Sequence, residues 1–397
     1  MLHNNPKKSY PQRKKVLAGI VLSATLVSTL TACGSSSTSS TSGSSVASGS
    51  SQDIKIGEIG AMSGNLASLG TWDSQGLQMA VDEVNAKGGI HGRKVVIEKL
   101  DDQGNPSVAV NDANKLVNDK VVAAFATPES TTTLAILNIL KQAKIPHITS
   151  GQDPEITKKG SLFVFRDTAN SLIFDKTLAD YVVGKMGMKK IAVISNSGAY
   201  GKGEHDAFVS ALKAHGISPV SDQVVTPDAK DFSAQLTTIK EAHPQVLFIG
   251  TEEIEMGLIA KQARALGITA RIVGGQPAAT PIYVNTAGKA VAEGTIFATT
   301  YISNDANAET KAFAAAYKKK FGQVADSHVA KAYDGAKMLL EAIDKAYPNI
   351  DGTHIRDELL KLNYHGLTGD FKFNDQGEGM FTAQIGTYKN GQPEPLQ

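Results

Sequence analysis

From Asp53 onward the chain alternates short runs of β-branched and aliphatic residues with longer runs whose apolar side chains recur at helical spacing. No other feature constrains the fold as much. Repeated strand–helix–strand units join parallel strands by crossovers and lay helices on both faces of a sheet. A strand is predicted at 54–60. A helix over 74–87 follows, with Leu77, Ala80, Val81 and Val84 on one face and Gly88-Gly89 as its stop. A strand at 95–100, a helix at 106–118 opened by Pro106, a strand at 121–126, a helix at 134–143 and a strand at 147–150 continue the pattern. The cycle then restarts, with strands at 162–166, 191–195, 220–225, 246–250 and 272–275. Helices at 172–186, 204–215, 232–243 and 256–266 separate them. Two such rounds are too long for one sheet and predict two similar lobes. Helices at 308–321, 329–346 and 355–362 and strands at 370–373 and 383–389 end the chain. Helices that late are expected to return to the first lobe, and several crossings between lobes to form a hinge.

Ahead of this alternation lies a segment of another kind. Lys7, Lys8, Arg13, Lys14 and Lys15 make the start basic, residues 16–30 are largely apolar, and the run closes on Leu30-Thr31-Ala32-Cys33-Gly34. A charged stretch, a short apolar stretch and small residues at a cut site form an export signal. The apolar run falls short of the roughly 20 residues that span a bilayer, which argues against a transmembrane helix with an incidental cysteine. Leu30-Thr31-Ala32-Cys33 resembles the lipobox of bacterial lipoproteins, which implies removal of residues 1–32 and acylation of Cys33. One acyl chain anchors marginally whereas two hold firmly, so a diacylated Cys33 keeps the protein on the outer face of a membrane. Residues 34–51 are almost all Ser, Thr and Gly, with Val46 the one sizeable apolar group. Such a stretch buries too little surface to offset its chain entropy, so residues 33–52 are expected to be a tether.

Composition excludes several function classes. The chain carries 40 Lys+Arg and 39 Asp+Glu; without the five basic residues of the leader, 35 face 39. No basic field remains to condense on phosphate, which argues against nucleic acid. Cys33 is the only cysteine, so the exported part has no disulfide frame, thiol nucleophile or cysteine zinc site. There is no Gly-x-Ser-x-Gly elbow, no His-Glu-x-x-His and no P-loop; residues 198–203 have the wrong glycine spacing. Neither an enzyme nor a bound cofactor or metal is expected. Asp101-Asp102 has no further acid or histidine at ligand spacing and reads as hinge hydrogen bonding. Trp72 reads as partly buried packing and His205-Asp206 as a solvated pair on a helix.

In open parallel sheets, ligands bind beyond the carboxyl ends of the strands. That rule selects the loops at 61–70, 101–102, 127–132, 149–153, 196–200, 251–253 and 275–277, which line one cleft if the lobes face each other.

The segments Asp53-Ile54-Lys55-Ile56-Gly57, Gly60-Ala61-Met62-Ser63-Gly64 and Val84-Asn85-Ala86-Lys87-Gly88-Gly89-Ile90-His91-Gly92-Arg93 carry a resemblance. So do Ala199-Tyr200-Gly201-Lys202-Gly203, Lys230-Asp231-Phe232-Ser233 and Glu255-Met256-Gly257. In this order, behind a lipobox, the chain resembles the branched-chain amino acid (Leu/Ile/Val) binding proteins of ABC importers over nearly all of 53–389. The resemblance implies a periplasmic binding protein type I fold: two Rossmann-like lobes with parallel central sheets and a three-crossing hinge. It implies lobe 1 at 53–170 and 302–378, and lobe 2 at 171–301 and 379–397.

Carried onto this sequence, the family's ligand positions fall as follows. Leu69 is a wall for the ligand's apolar part. Glu129-Ser130 stands where the family places serines that hold a carboxylate. Ser150 (or Gly151) and Gln152 follow the next strand. Tyr200 matches a tyrosine that closes over the ligand, Glu252 stands where the family often has another tyrosine, and Gln276 where amino-acid binders often have a glutamate for the ammonium. Two departures stand out. Glu129 would repel a ligand carboxylate, and Gln276 removes an anion that Glu252 would have to replace. Either Ser130 and Glu252 compensate and the ligand is an amino acid, or it is another small polar molecule such as an amide or polyol. Each residue also has a plainer role: Ser130 and its threonines as helix caps, Tyr200 as a turn aromatic, Glu252 as a solvated charge. The expected protein is a monomeric, lipid-anchored, extracytoplasmic substrate-binding component serving an ABC permease, with a ligand-sensing receptor of the same fold as the alternative.

Overall fold

The computed structural model describes residues 52–396 except 160, 161, 305, 306 and 380. The export signal, Cys33 and the tether up to residue 51 lie outside the described residues. Two layered α/β units follow one another. The first comprises β1 (Ile54–Gly60), α1 (Ala67–Ala86), β2 (Val95–Asp101), α2 (Pro106–Asn118), β3 (Ala123–Ala126), α3 (Ser130–Gln142), β4 (His147–Thr149), α4 (Glu155–Lys158) and β5 (Val164–Arg166). The second runs through α5 (Ser171–Ala179), β6 (Ile191–Asn196), α6 (Ala199–Ala214), β7 (Ser221–Val225), α7 (Ser233–Glu241), β8 (Val246–Gly250), α8 (Glu253–Ala265) and β9 (Arg271–Gly274). It continues with α9 (Pro281–Ala287), α10 (Lys289–Ala292) and β10 (Ile296–Thr299). The last part holds α11 (Ala308–Phe321), α12 (Ser327–Lys345), α13 (Gly352–Leu359), the hairpin β11 (Tyr364–Gly366) and β12 (Gly369–Phe371), then β13 (Gln384–Lys389) and β14 (Gln392–Pro395).

The first sheet has the order β2-β1-β3-β4-β5 and is parallel throughout. Apart from the edge strand β2, its strands are buried on both faces, and alternate residues serve opposite cores. Ile54, Ile56 and Phe125 join Leu77 of α1 and Leu339 and Ile343 of α12 on one side. Ile59, Ala124 and Ala126 meet Leu116, Ile136 and Leu140 on the other. The second sheet runs β14-β13-β10-β9-β8-β6-β7, parallel from β10 to β7, with β13 and β14 added antiparallel at the edge. Here Ile194, Leu247 and Ile249 face α7 and α8, while Val193, Val246 and Phe248 face Phe174 and Phe208. The chain passes between the sheets after β5, after β10 and after β12. As expected, α12 returns to the first sheet.

Both sheets repeat one strand order, with the first strand of each round lying between the second and the third. The connections leave that first strand in opposite directions, which opens a crevice at the carboxyl ends of β1 and β3, and again at β6 and β8.

Two helices begin five or more residues earlier than periodicity predicts. Helix α1 starts at Ala67 rather than 74, and α6 at Ala199 rather than 204. Each conceals its start behind a glycine, a poor helix former. The glycines answer to packing, since a Cβ on Gly70 would collide with the backbone of Ala61 and one on Gly201 with Asn196. The predicted helix over 172–186 is α-helical only to Ala179 and continues as a π-helical stretch at Asp180–Lys185. Asp101-Asp102 does not serve the hinge. Asp101 Oδ1 accepts the backbone N–H of Met62 at 2.8 Å and Oδ2 the Ser63 hydroxyl at 2.7 Å, which pins the loop after β1.

Candidate ligand-binding site

The loops at the two crevices meet. Between them lies a small cavity of about 30 Å³, well below the several hundred Å³ of a drug-sized pocket. Leu69, Glu129, Ser130, Ser150 and Gln152 line it from the first sheet, and Tyr200 and Glu252 from the second. Seven of the eight ligand positions drawn from the sequence thus face one space. Gln276 is the exception. It is fully buried, accepts from Gln152 Nε2 at 2.7 Å and donates to the Ser327 hydroxyl at 3.0 Å, so both ends of its amide are used in holding the two halves together. At the mouth, Asn65 Nδ2 donates to Asp228 at 2.8 Å across the cleft. A larger cavity of about 630 Å³ opens elsewhere, beside Trp72, Ile282, Tyr301 and Val324. It has none of the eight positions on its wall.

Glu129 resolves its conflict with a carboxylate-binding position in an unexpected way. It is the N-cap of α3, and its own carboxylate takes the helix amides: Oε1 accepts from Thr131 N at 2.8 Å and Oε2 from Thr132 N at 2.7 Å. Ser130 is therefore not the cap. Its Oγ accepts from Gln152 N at 3.1 Å and Asp153 N at 3.2 Å, tying α3 to the loop after β4 and leaving its hydroxyl proton to donate. Ser150 donates to Asp167 Oδ1 at 2.8 Å.

On the facing side, Asn196 Nδ2 donates to Glu252. Burial pushes the Glu252 carboxyl up to about 8, and the charges of Glu129 and Glu255 push the same way. Tyr200, in the first turn of α6, is buried beside Glu204, whose carboxyl burial raises to about 7.

Sequence reasoning missed the wall contributed by α12. His328 and Lys331 line the cavity, with Pro128, Glu253 and Pro277. His328 stacks on Trp72 with ring centroids 5.3 Å apart, and its Nε2 lies 3.4 Å from Glu253 Oε1 of the opposite half. Burial holds the imidazole well below its usual range, with the Lys331 charge adding to the effect, and burial raises Glu253. A signal for Lys331 was available. It sits one turn before Gly335 and two before Met338 and Leu339, on the buried stripe of a helix. A lysine almost never occupies such a stripe without a function or a partner.

A doubled parallel-sheet topology thus brings loops from both halves around one small cavity. A sequence profile described as periplasmic binding protein matches residues 53–392. The chain belongs to that family. The Leu/Ile/Val-binding protein BraC3 of Rhizobium johnstonii is 34% identical over 331 residues, covering 80% of this chain and 89% of its own. The Leu/Ile/Val-binding protein homolog 3 of Brucella melitensis is 32% identical over 79% of this chain and 84% of its own. Among solved structures, the branched-chain amino acid transporter substrate binding protein LivJ of Streptococcus pneumoniae, in complex with isoleucine, superposes with a TM-score of 0.80. It is 29% identical and covers 87% of this chain and 99% of its own. A leucine binding protein, LivK, of Thermotoga maritima gives a TM-score of 0.80 at 27% identity, covering 87% and 98%. This periplasmic binding protein therefore shares the two-lobed fold of relatives named for binding and transport.

Proposed function

We propose that the protein is the extracytoplasmic substrate-binding component of an ABC importer, capturing a small amino acid of the branched-chain or aliphatic type between two lobes and delivering it to a permease. The observation that carries this reading is the convergence of loops from both sheets on one small cavity, in a chain whose relatives are named for binding Leu, Ile and Val. The lobes divide at 53–170 with 302–378 and 171–301 with 379–397, and the three crossings form the hinge. Leu69 walls the aliphatic side chain, Tyr200 closes over it, Ser130 and Gln152 donate hydrogen bonds, Ser150 lines the same wall, and Glu252 takes the ammonium. Gln276 acts through Gln152 as a strut between lobes.

The reading includes export and lipidation. Residues 1–32 direct export, Cys33 carries the acyl chains, and residues 33–52 tether a monomeric domain to the membrane. The Cys33→Ala variant is expected in the soluble fraction; its continued sedimentation with membranes would sink the anchor. Ligand class is tested by thermal melting of the mature domain against amino acids, amides, amines and sugars. A ligand at 100 times its dissociation constant adds about 2.7 kcal/mol of stability, and leucine, isoleucine or valine is expected to lead. A lead by amides or polyols would replace the amino-acid reading. Uptake that is normal in a deletion strain whose response to the ligand is lost would replace the transport role with a sensory one.

A further inference from the structure

Lys331 is 1% exposed and stands on the cavity wall. Among the described residues it donates no hydrogen bond and has no carboxylate within ion-pair distance. The titratable groups that face it are Asp73 from α1, Asp167 after β5, Glu253 from α8 and Asp326 and His328 at the start of α12. Burial raises all four carboxyls, which weakens the negative charge they offer the ammonium. A desolvated cation without a close partner is unfavourable, and an anion entering the cavity relieves that. At α3 the situation is the reverse. A helix N-terminus is a ready anion site, yet here Glu129 has already placed its carboxylate on the amides of Thr131 and Thr132.

Taking the cavity between the lobes as the ligand site, we infer that Lys331, and not the N-terminus of α3, holds the carboxylate of the ligand. The ligand is then oriented from α12: its carboxylate lies against Lys331, and its other polar group lies toward Glu252. Specificity for an acid over its amide comes from one charge-assisted contact. An amide that displaced the acid would leave Lys331 buried without an anion.

Isothermal titration of the mature domain with leucine, leucinamide and 4-methylpentanoate tests this. The wild type is expected to prefer leucine to leucinamide. Lys331→Met should weaken both carboxylate ligands by at least about 30-fold, the loss typical of truncating one side of a buried charge pair, and should abolish the preference over the amide. A misfolded variant would lose all three ligands alike. Lys331→Arg, which keeps the charge, supplies a test independent of that loss: the preference for leucine over leucinamide should persist. A charge-keeping variant that binds but shows no such preference would overturn the inference. Lys331→Met with unchanged leucine affinity, or a wild type indifferent between acid and amide, would overturn it alone. A wild type that binds none of the three would overturn both it and the amino-acid reading.

Discussion

Glu252 and Glu129 are both carboxylates on the cavity, and their hydrogen-bond partners differ. Glu129 accepts two backbone N–H groups at the N-terminus of the helix it caps. Glu252, at the N-cap of α8, makes no capping bond with its side chain, and burial with two nearby acidic groups keeps its proton on up to about pH 8. Pairing with a ligand ammonium requires Glu252 to give up that proton. Leucine binding at pH 7 is therefore expected to release more protons from the wild type than from Glu252→Gln, as read from titration heats in buffers of different ionisation enthalpy. Glu252→Ala should weaken leucine by at least about 30-fold. Equal proton release in wild type and Glu252→Gln would place the ammonium elsewhere, with Glu253 the nearest candidate.

At the scale of elements, α12 decides the site. It lies against α1 with no room for a side chain at Gly76, where a Cβ would stand 2.7 Å from Val329 O and 2.8 Å from Ala332 Cβ. That close approach brings His328 and Lys331 to the cavity wall and seats His328 on Trp72. Gly76→Val is expected to force the helices apart. Overpacking of this kind costs about 1–3 kcal/mol and should lower the melting temperature and weaken leucine binding together. A lower melting temperature with unchanged binding would show that the position of α12 is not what sets the site.

For the whole molecule, buried carboxyls outnumber the cations that would balance them. Burial raises Glu252 to about 8, and Asp167, Glu204 and Asp326 to about 7. Each ionises near pH 4 once unfolded. Between these values the folded chain binds more protons than the unfolded one, so stability falls as pH rises through 7 to 8. The buried histidines act in the opposite sense only at lower pH. His147 is held near 4 and His328 well below its usual range, so both are neutral in either state above about 6.5. The ligand-free domain should accordingly melt at a lower temperature at pH 8 than at pH 6.5, as calorimetry at the two values would show. A flat or rising profile would mean that water or rearrangement relieves the cluster.

Strand and helix order, the two rounds and therefore both crevices follow from local patterning. Period-two and period-3.6 signals depend on neighbours a few residues apart. The same locality made legible the loops beyond the carboxyl ends of the strands, and the resemblance to the Leu/Ile/Val-binding family singled out Leu69, Glu129, Ser130, Ser150, Gln152, Tyr200 and Glu252 within them. Tertiary structure alone decided the rest. Lys331 and His328 reach the cavity only because α12 crosses back and packs on α1, a contact between segments far apart in the chain. Gln276 left the cavity for a partner in the other half, Gln152. The direction of the Glu129 carboxylate is by contrast a local matter, set by the amides of Thr131 and Thr132 in the helix it caps. Local sequence patterning sets where the chain turns; which charges a ligand meets depends on which distant surfaces are pressed together.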